Sequence, residues 1–445
     1  MPWYEALAFL LGMILLLMFL GFPVALAFIA ANLVGAVYFM GGSGDIFRQM
    51  TRGIGQLTNN AIPSVTSFNL VPVPMFLLMG ELFFHTGLAN RMFNAIEHLL
   101  GRIPGRLSYV TVAGGTAFAT LSGSSMGSTA LMGSLMVPEM SQRGYKKHMS
   151  MGPILGTGGL AMLIPPSALA VLLATLATLD VGALLLAGIG PGLVLALLYI
   201  LLIFLQCKLD PAAAPLYPFD TPPWRTRLRL LMVDVLPMLL LVIGVILLIL
   251  NGWATPSESA AFGSLGILAL GLLYRSLSWR RLRDSVRGAL RVSVMALLII
   301  FGSATFSNLL AFSGASAGLL QWATSFAFPP LVMLLIMFGI LLILGMFMDQ
   351  LSMMLLTVPI FFPLATQLGF DPIWFAVIIL MALEISFTTP PFGLLLFVMK
   401  GVAPPDTRMS EIYLAALPYI ACAILVVGLL ILFPSLALFL PELSH

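Results

Sequence analysis

Long apolar runs separated by short polar connectors set the pattern of the chain. Runs at about 4–20, 22–40, 68–86, 149–179 and 182–206 are followed by a second series at about 230–250, 257–274, 291–311, 371–400 and 412–440. Each is long enough to cross a bilayer as helix, which takes about 20 residues. Two further stretches are apolar on both sides of a polar tip. The first, 108–140, surrounds Leu121-Ser-Gly-Ser-Ser-Met-Gly-Ser128, and the second, 330–364, surrounds Met348-Asp-Gln-Leu-Ser352. The arms of the first, about 14 residues each, fall short of a full crossing. The expectation is therefore a re-entrant helical hairpin at each place, entering to mid-membrane and leaving on the same side. Bare backbone and hydroxyl groups at such tips are costly in lipid unless they line a protein-enclosed cavity.

The punctuation after the tips repeats. Pro138, Gly144-Tyr145 and Pro165-Pro166 follow the first; Pro363, Gly369-Phe370 and Pro390-Pro391 follow the second. The spacing is 225 residues throughout, from 138 to 363, from 144 to 369 and from 165 to 390. Five spans per copy is an odd number, so two consecutive copies must lie in opposite orientations. The predicted fold is an all-α polytopic membrane protein of two inverted repeats. Residues 1–206 form the first, with a Pro-Pro-broken helix at about 149–179. Residues 207–229 form a cytoplasmic linker, and residues 230–445 the second repeat, with its broken helix at about 371–400.

Composition agrees with a bilayer setting: 60% of residues are hydrophobic, 8% are charged and mean hydropathy is +1.09, where a soluble domain has about 25% charged residues. The net charge of +3 matters less than its placement. Arg225-Thr-Arg227-Leu-Arg229 and the arginines from Arg275 to Arg291 mark cytoplasmic loops by the positive-inside rule. Both chain ends then lie in the periplasm, the first hairpin opens from the cytoplasm and the second from the periplasm. Arg48, Arg52 and Arg91 fit this assignment poorly. Trp279 to Arg287 reads as an amphipathic segment along the interface. No aromatic interleaving or nucleic-acid motif accompanies the basic clusters, so no nucleic-acid partner is expected; membrane lipid is. Cys207 and Cys422 have no disulfide or zinc spacing. The N-terminus lacks the basic region of a cleaved signal, and its apolar run is expected to stay as a first span.

Candidate chemistry gathers at the breaks. Ser122, Gly123, Ser124 and Ser125 offer hydroxyls and uncovered carbonyls, which coordinate cations, beside amides that favour anions; Gly123 and Gly127 can equally serve close helix packing. Consecutive prolines remove two amide donors and free upstream carbonyls, here beside Ser167 and beside Thr388 and Thr389. Asp349 is the sharpest single residue, because an acidic group near a helix centre costs about 2.5–3.5 kcal/mol on insertion and is functional by default. Glu81 and Glu384 read as carboxylates paired across helices or in contact with ion or substrate. The four histidines match no ligand spacing, and the methionines read as packing. There is no phosphate loop, and no protease constellation, so an enzyme is not expected.

The Ser/Gly tip, Pro138-Glu-Met with Gly144-Tyr145, Ile164-Pro-Pro-Ser167, and Leu383-Glu-Ile before Thr389-Pro-Pro-Phe-Gly393 together resemble the large permease subunit of TRAP transporters, the DctM type. The resemblance covers nearly the whole chain. It implies an elevator-type scaffold and transport domain in the bacterial inner membrane, and sodium-coupled uptake of an organic acid such as a C4-dicarboxylate or sugar acid. It also implies two partners: a small four-helix DctQ-type membrane subunit and a periplasmic DctP-type binding protein. No organic cofactor is implied. Carried onto this sequence, the sodium ligands are Ser122, Gly123, Ser124 and Ser167 in one set, and Asp349, Thr388, Thr389 and Pro390 in the other. Ser125, Ser128 and Gln350 are the candidate substrate contacts. The nearest alternative is a stand-alone sodium–dicarboxylate symporter of related design; a channel or an intramembrane protease lies further off.

Overall fold

The computed structural model describes residues 1–443 apart from 43–44, 67–69, 102, 123–124, 166, 217–222, 327 and 347. All regular structure among the described residues is helical. In the first half, α1 (Trp3–Phe19), α2 (Val24–Gly35), α3 (Ile46–Val65), α4 (Pro72–His85) and α5 (Leu88–Leu100) lead to the first helix pair. That pair is α6 (Arg106–Ser122) and α7 (Ser125–Gln142), followed by α8 (Lys147–Gly159), α9 (Ala168–Leu176) and α10 (Val181–Leu209). In the second half come α11 (Trp224–Leu230), α12 (Leu236–Leu250), α13 (Pro256–Leu273), α14 (Trp279–Phe312) and α15 (Ala315–Ser325). The second pair, α16 (Pro330–Leu344) and α17 (Gln350–Gln367), precedes α18 (Pro372–Thr388), α19 (Leu394–Val402), α20 (Met409–Leu432) and α21 (Ser435–Leu443).

Six described helices are long and apolar enough to cross a membrane, seven if α4 and α5, which meet at 64°, count as one bent span. Shorter apolar helices at 3–18, 24–40, 330–344 and 372–388 add to these. Several ends follow directly from the sequence. Thr255 and Glu258 close a capping box on α13, with Pro256 at its first position, while Asp180 and Asp371 accept the backbone N–H groups of Ala183 and Trp374. Each side chain satisfies an amide that a helix start leaves orphaned.

The two helix pairs end alike. The Tyr145 amide donates to the Met140 carbonyl and the Gly144 amide to Ser141; Phe370 and Gly369 repeat this on Ala365 and Thr366. Both glycines are left-handed, with φ of 80° and 81°. This is the Schellman stop, and it requires a residue without Cβ strain. A Cβ at Gly369 would meet nothing within 4 Å, so only backbone strain opposes it. Gly369→Ala is expected to cost about 1–2 kcal/mol, read as reduced survival of folded protein through a heating series in detergent.

Two expectations need correction. The arms of the first hairpin are 17 and 18 residues long, not about 14, because the helices run on past the apolar stretch into polar ends such as Arg106 and Gln142. At 1.5 Å per residue, the longer arms approach a bilayer's width, so arm length alone does not exclude crossing. The segment from Trp279 to Arg287 is not separate from the span after it: both form the 34-residue α14, because nothing between them breaks a helix. Arg91, which fits the charge assignment poorly, has partners of its own. It pairs with Asp234 at 2.6 Å and lies 4.2 Å over the Tyr274 ring, in a hollow shared with Thr226 and Leu230, beside the Arg225–Arg229 cluster.

Other basic loops meet in the same way. Arg106 and Arg143 share Glu97, Lys146 pairs with Asp210, and Lys147 with Asp406 and Glu411.

Candidate functional site

The first tip lies between α6 and α7, which pack on one another, as do α16 and α17 around the second. Gly123 and Ser124 lie outside the described residues, as does the side chain of Ser122, whose backbone ends α6. On the far side of the tip, Ser125 is buried, and its hydroxyl has no partner among the described residues. Thr129, one turn along α7, is in the same condition; sequence reasoning missed it because nothing local marks a threonine in a helix as unsatisfied. Ser128 is buried in the same helix.

The second tip is organised by Asp349. It is the N-cap of α17, with its carboxylate accepting the amides of Leu351 at 3.1 Å and Ser352 at 3.4 Å, and the Ser352 hydroxyl. The capping reading thus holds, and Asp349 is also among the residues that line a cavity. Gln350, buried beside it, donates to Met162 Sδ at 3.5 Å. That bond joins the second tip to the first break, across 188 positions of sequence.

At the first break, Ser167 is fully buried and its hydroxyl is committed: it donates to the Met162 carbonyl at 3.0 Å and accepts the Ala170 amide at 3.2 Å as N-cap of α9. Pro166 lies outside the described residues. At the second break, Thr388 and Thr389 both turn their hydroxyls back onto the Ile385 carbonyl, at 3.1 and 2.6 Å. Pro390 begins the turn into Gly393, where an added Cβ would fall 2.7 Å from the Phe387 carbonyl oxygen. The Tyr413 hydroxyl donates to the Pro391 carbonyl at 2.9 Å. The Met162 carbonyl, four residues before Pro166, is thus satisfied by a side chain of the protein itself.

A cavity of about 480 Å³ collects these elements. Its walls include Ser125 and Met126 of the first tip, Asp349 to Ser352 of the second, Ala168 and Leu169 after the first break, and Phe387 before the second. The opposite wall comes from α2, α4 and α14, through Val24, Val73, Leu77, Glu81, Val292 and Met295. Glu81, paired with His85 at 3.2 Å, is a cavity residue. Its carboxylate presses against Gly288 of α14, where a Cβ would fall 2.5 Å from an oxygen. Ser128, Ser167, Thr388, Thr389 and Pro390 are not on the wall. The described lining holds two carboxylates and no Lys, Arg or His, and the undescribed neighbours Gly123, Ser124, Pro166 and Phe347 carry no charge.

A second cavity, about 980 Å³, lies further along α9, α14 and α17. On α14 the walls pass from Val292–Ala296 to Ile300–Asn308, on α9 from Ala168–Leu172 to Thr175, and on α17 from Asp349–Ser352 to Val358–Gln367. Between them Met353, Met354 and Leu355 are fully buried, and Ser303 Oγ donates to the Leu355 carbonyl at 3.2 Å.

Comparison with solved structures gives the class. The fold matches that of the Alcanivorax borkumensis YdaH transporter with a TM-score of 0.66, over 92% of this chain and 98% of that one, at 14% identity. This is a polytopic membrane protein with a transporter fold. The family follows from sequence: the profile described as "Tripartite ATP-independent periplasmic transporter, DctM component" matches residues 11–436, and the chain belongs to that family. It is 30% identical over 376 residues to the C4-dicarboxylate TRAP transporter large permease protein DctM of Pseudomonas aeruginosa, covering 84% of this chain and 86% of that protein. It is 29% identical to the ectoine/5-hydroxyectoine TRAP transporter large permease protein UehC of Ruegeria pomeroyi, covering 98% of each. The chain is accordingly the large permease component of a tripartite transporter, not an enzyme.

Proposed function

We propose that this permease takes up a small organic acid by sodium-coupled alternating access, with the solute held in the 480 Å³ cavity. One observation carries the reading: both polar tips and the helices next to both breaks face a single cavity, which nothing in their separation along the chain requires. Two cavities strung along one α9–α14–α17 seam, with a packed plug between them, support access from two sides in turn. In this reading residues 1–206 and 230–445 are inverted repeats. The two helix pairs and broken helices form a transport domain that slides against a scaffold of α2, α4 and α14. The shared ion-paired basic loops support a cytoplasmic face at that end, with both termini periplasmic.

The charge of the site supports cation coupling. The described lining offers an anionic solute Asp349 and Glu81 and no Lys, Arg or His, so positive charge that enters with the solute would compensate it. On the cavity wall, Asp349 and the free Ser125 hydroxyl provide oxygens of the kind a hard cation prefers. The partners are a DctQ-type membrane subunit and a DctP-type binding protein that selects the solute. Relatives named for a dicarboxylate and for ectoine fit a permease whose cavity is shaped by apolar walls rather than by a fixed countercharge.

Reconstitution tests this directly. Uptake into proteoliposomes is expected only with both partners and an inward sodium gradient. Uptake by this chain alone would make it a stand-alone symporter, and sustained flux without sodium would make it a channel. The sliding seam has its own test. With Cys207 and Cys422 replaced, a short bifunctional thiol cross-linker joining cysteines placed at Ser303 and Leu355 is expected to stop uptake. Full transport by the linked protein would mean that α14 and α17 do not move apart.

A further inference from the structure

Behind the second break, away from the cavity, one carboxyl is left without charge compensation. Glu384 on α18 is 3% exposed. The Tyr199 hydroxyl donates to its Oε1 at 3.3 Å, while Oε2 has no partner among the described residues, and neither has the buried hydroxyl of Tyr419. Glu384, Tyr199 and Tyr419 face one void of about 10 Å³, the size that admits a single water. The enclosure is built by close approach. Gly159 of α8 lies where a Cβ would fall 2.1 Å from Glu384 Cγ, and Gly152 and Gly156 admit the Tyr419 ring at 2.5 Å. The two tyrosine rings stand 5.1 Å apart.

No cation among the described residues reaches this place. The titratable neighbours are Tyr199 on α10 and Tyr419 and Cys422 on α20, with Cys207 and Tyr109 beyond Tyr419. The described lining holds no Lys, Arg or His. An ionised carboxylate would stand alone in an apolar enclosure, and proteins avoid that by neutralising the group. A metal cation is the wrong neutraliser here. Hard cations gather about six oxygens. This void offers one carboxyl and two phenol hydroxyls, since the Thr388 hydroxyl is given to the Ile385 carbonyl.

We propose that Glu384 is a neutral carboxylic acid which, with the hydroxyls of Tyr199 and Tyr419, holds one sealed water molecule between α8, α10, α18 and α20. The water accepts from the Glu384 Oε2–H and from the Tyr419 hydroxyl, and donates to the Tyr199 oxygen, giving it the two to four partners that buried waters have. The site is separate from the cation site at the tips and does not depend on it. Its consequence is that the proton on Glu384 stays put whatever ion drives transport.

Infrared difference spectra between wild type and Glu384→Gln, as full chains in lipid nanodiscs at neutral pH, test the assignment. The expected result is loss of one protonated-carboxyl C=O band, the same in sodium and potassium salt. Loss of carboxylate bands instead overturns the proposal, as does conversion of the acid band to carboxylate on adding sodium. Tyr419→Phe keeps the carboxyl and is expected to shift that band, because the water loses a partner; an unmoved band overturns the bridging water. Should Glu384→Gln fail to assemble, a wild-type cryo-EM map fine enough to place waters decides. Density between Oε2 and the Tyr419 hydroxyl is expected, and an empty void overturns the proposal.

Discussion

Asp349→Asn is expected to abolish uptake at sodium concentrations that suffice for the wild type, while leaving the protein folded and assembled. The two effects separate because the residue does two things. As N-cap of α17 it accepts the Leu351 and Ser352 amides, and asparagine caps as well as aspartate. What asparagine lacks is the charge facing the cavity. A carboxylate and a monovalent cation 4 Å apart attract by about 4 kcal/mol at an effective dielectric of 20, and each 1.4 kcal/mol is about tenfold in affinity. Sodium affinity should therefore fall by roughly two to three orders of magnitude, measured as the sodium concentration giving half-maximal uptake. Asp349→Ala should show the same transport defect and lose about 1 kcal/mol of stability besides, from the missing cap. Normal uptake with unaltered sodium dependence in Asp349→Asn would reduce the residue to a cap.

The second large effect is on stability. Arg106, with its side chain 2% exposed, reaches Glu97 at 2.8 Å, and Arg143 approaches the same oxygen at 3.4 Å. Removing one partner of a buried pair leaves an uncompensated charge, which costs about 3–5 kcal/mol. Glu97→Ala is expected at the lower end, about 3 kcal/mol, because Arg106 keeps its contact with the Gly101 carbonyl and Arg143 keeps Glu139. The double variant Glu97→Ala, Arg106→Met should recover much of the loss, since a vacated pair replaced by apolar atoms is often neutral. Monodispersity after a heat step reads both. No recovery in the double variant would mean that Arg106 stabilises the fold through packing rather than through its charge.

The sequence by itself determined the helical membrane class, the two polar tips, the two broken helices and the family. These signals are local. A proline deletes an amide wherever it stands, and a glycine at φ near 80° ends a helix in the same way at 144 as at 369. An aspartate before a helix caps it. The recurrence of these devices 225 residues apart could be read from spacing alone, because each acts within one turn of its own position.

Which polar group is used up and which is left free was decided only by the tertiary structure. Ser167 and Ser125 look alike in the sequence, yet one hydroxyl is spent on Met162 and Ala170 and the other is unpartnered at a cavity wall. Glu81 joins Asp349 across that cavity from a different part of the chain, Gln350 docks on Met162, Arg91 finds Asp234, and Glu384 is shut in between two tyrosines. The physical reason is common to all of them. A buried polar atom is satisfied or stranded by whichever helix packs against it, and that helix can lie hundreds of residues away, where no local pattern records the meeting.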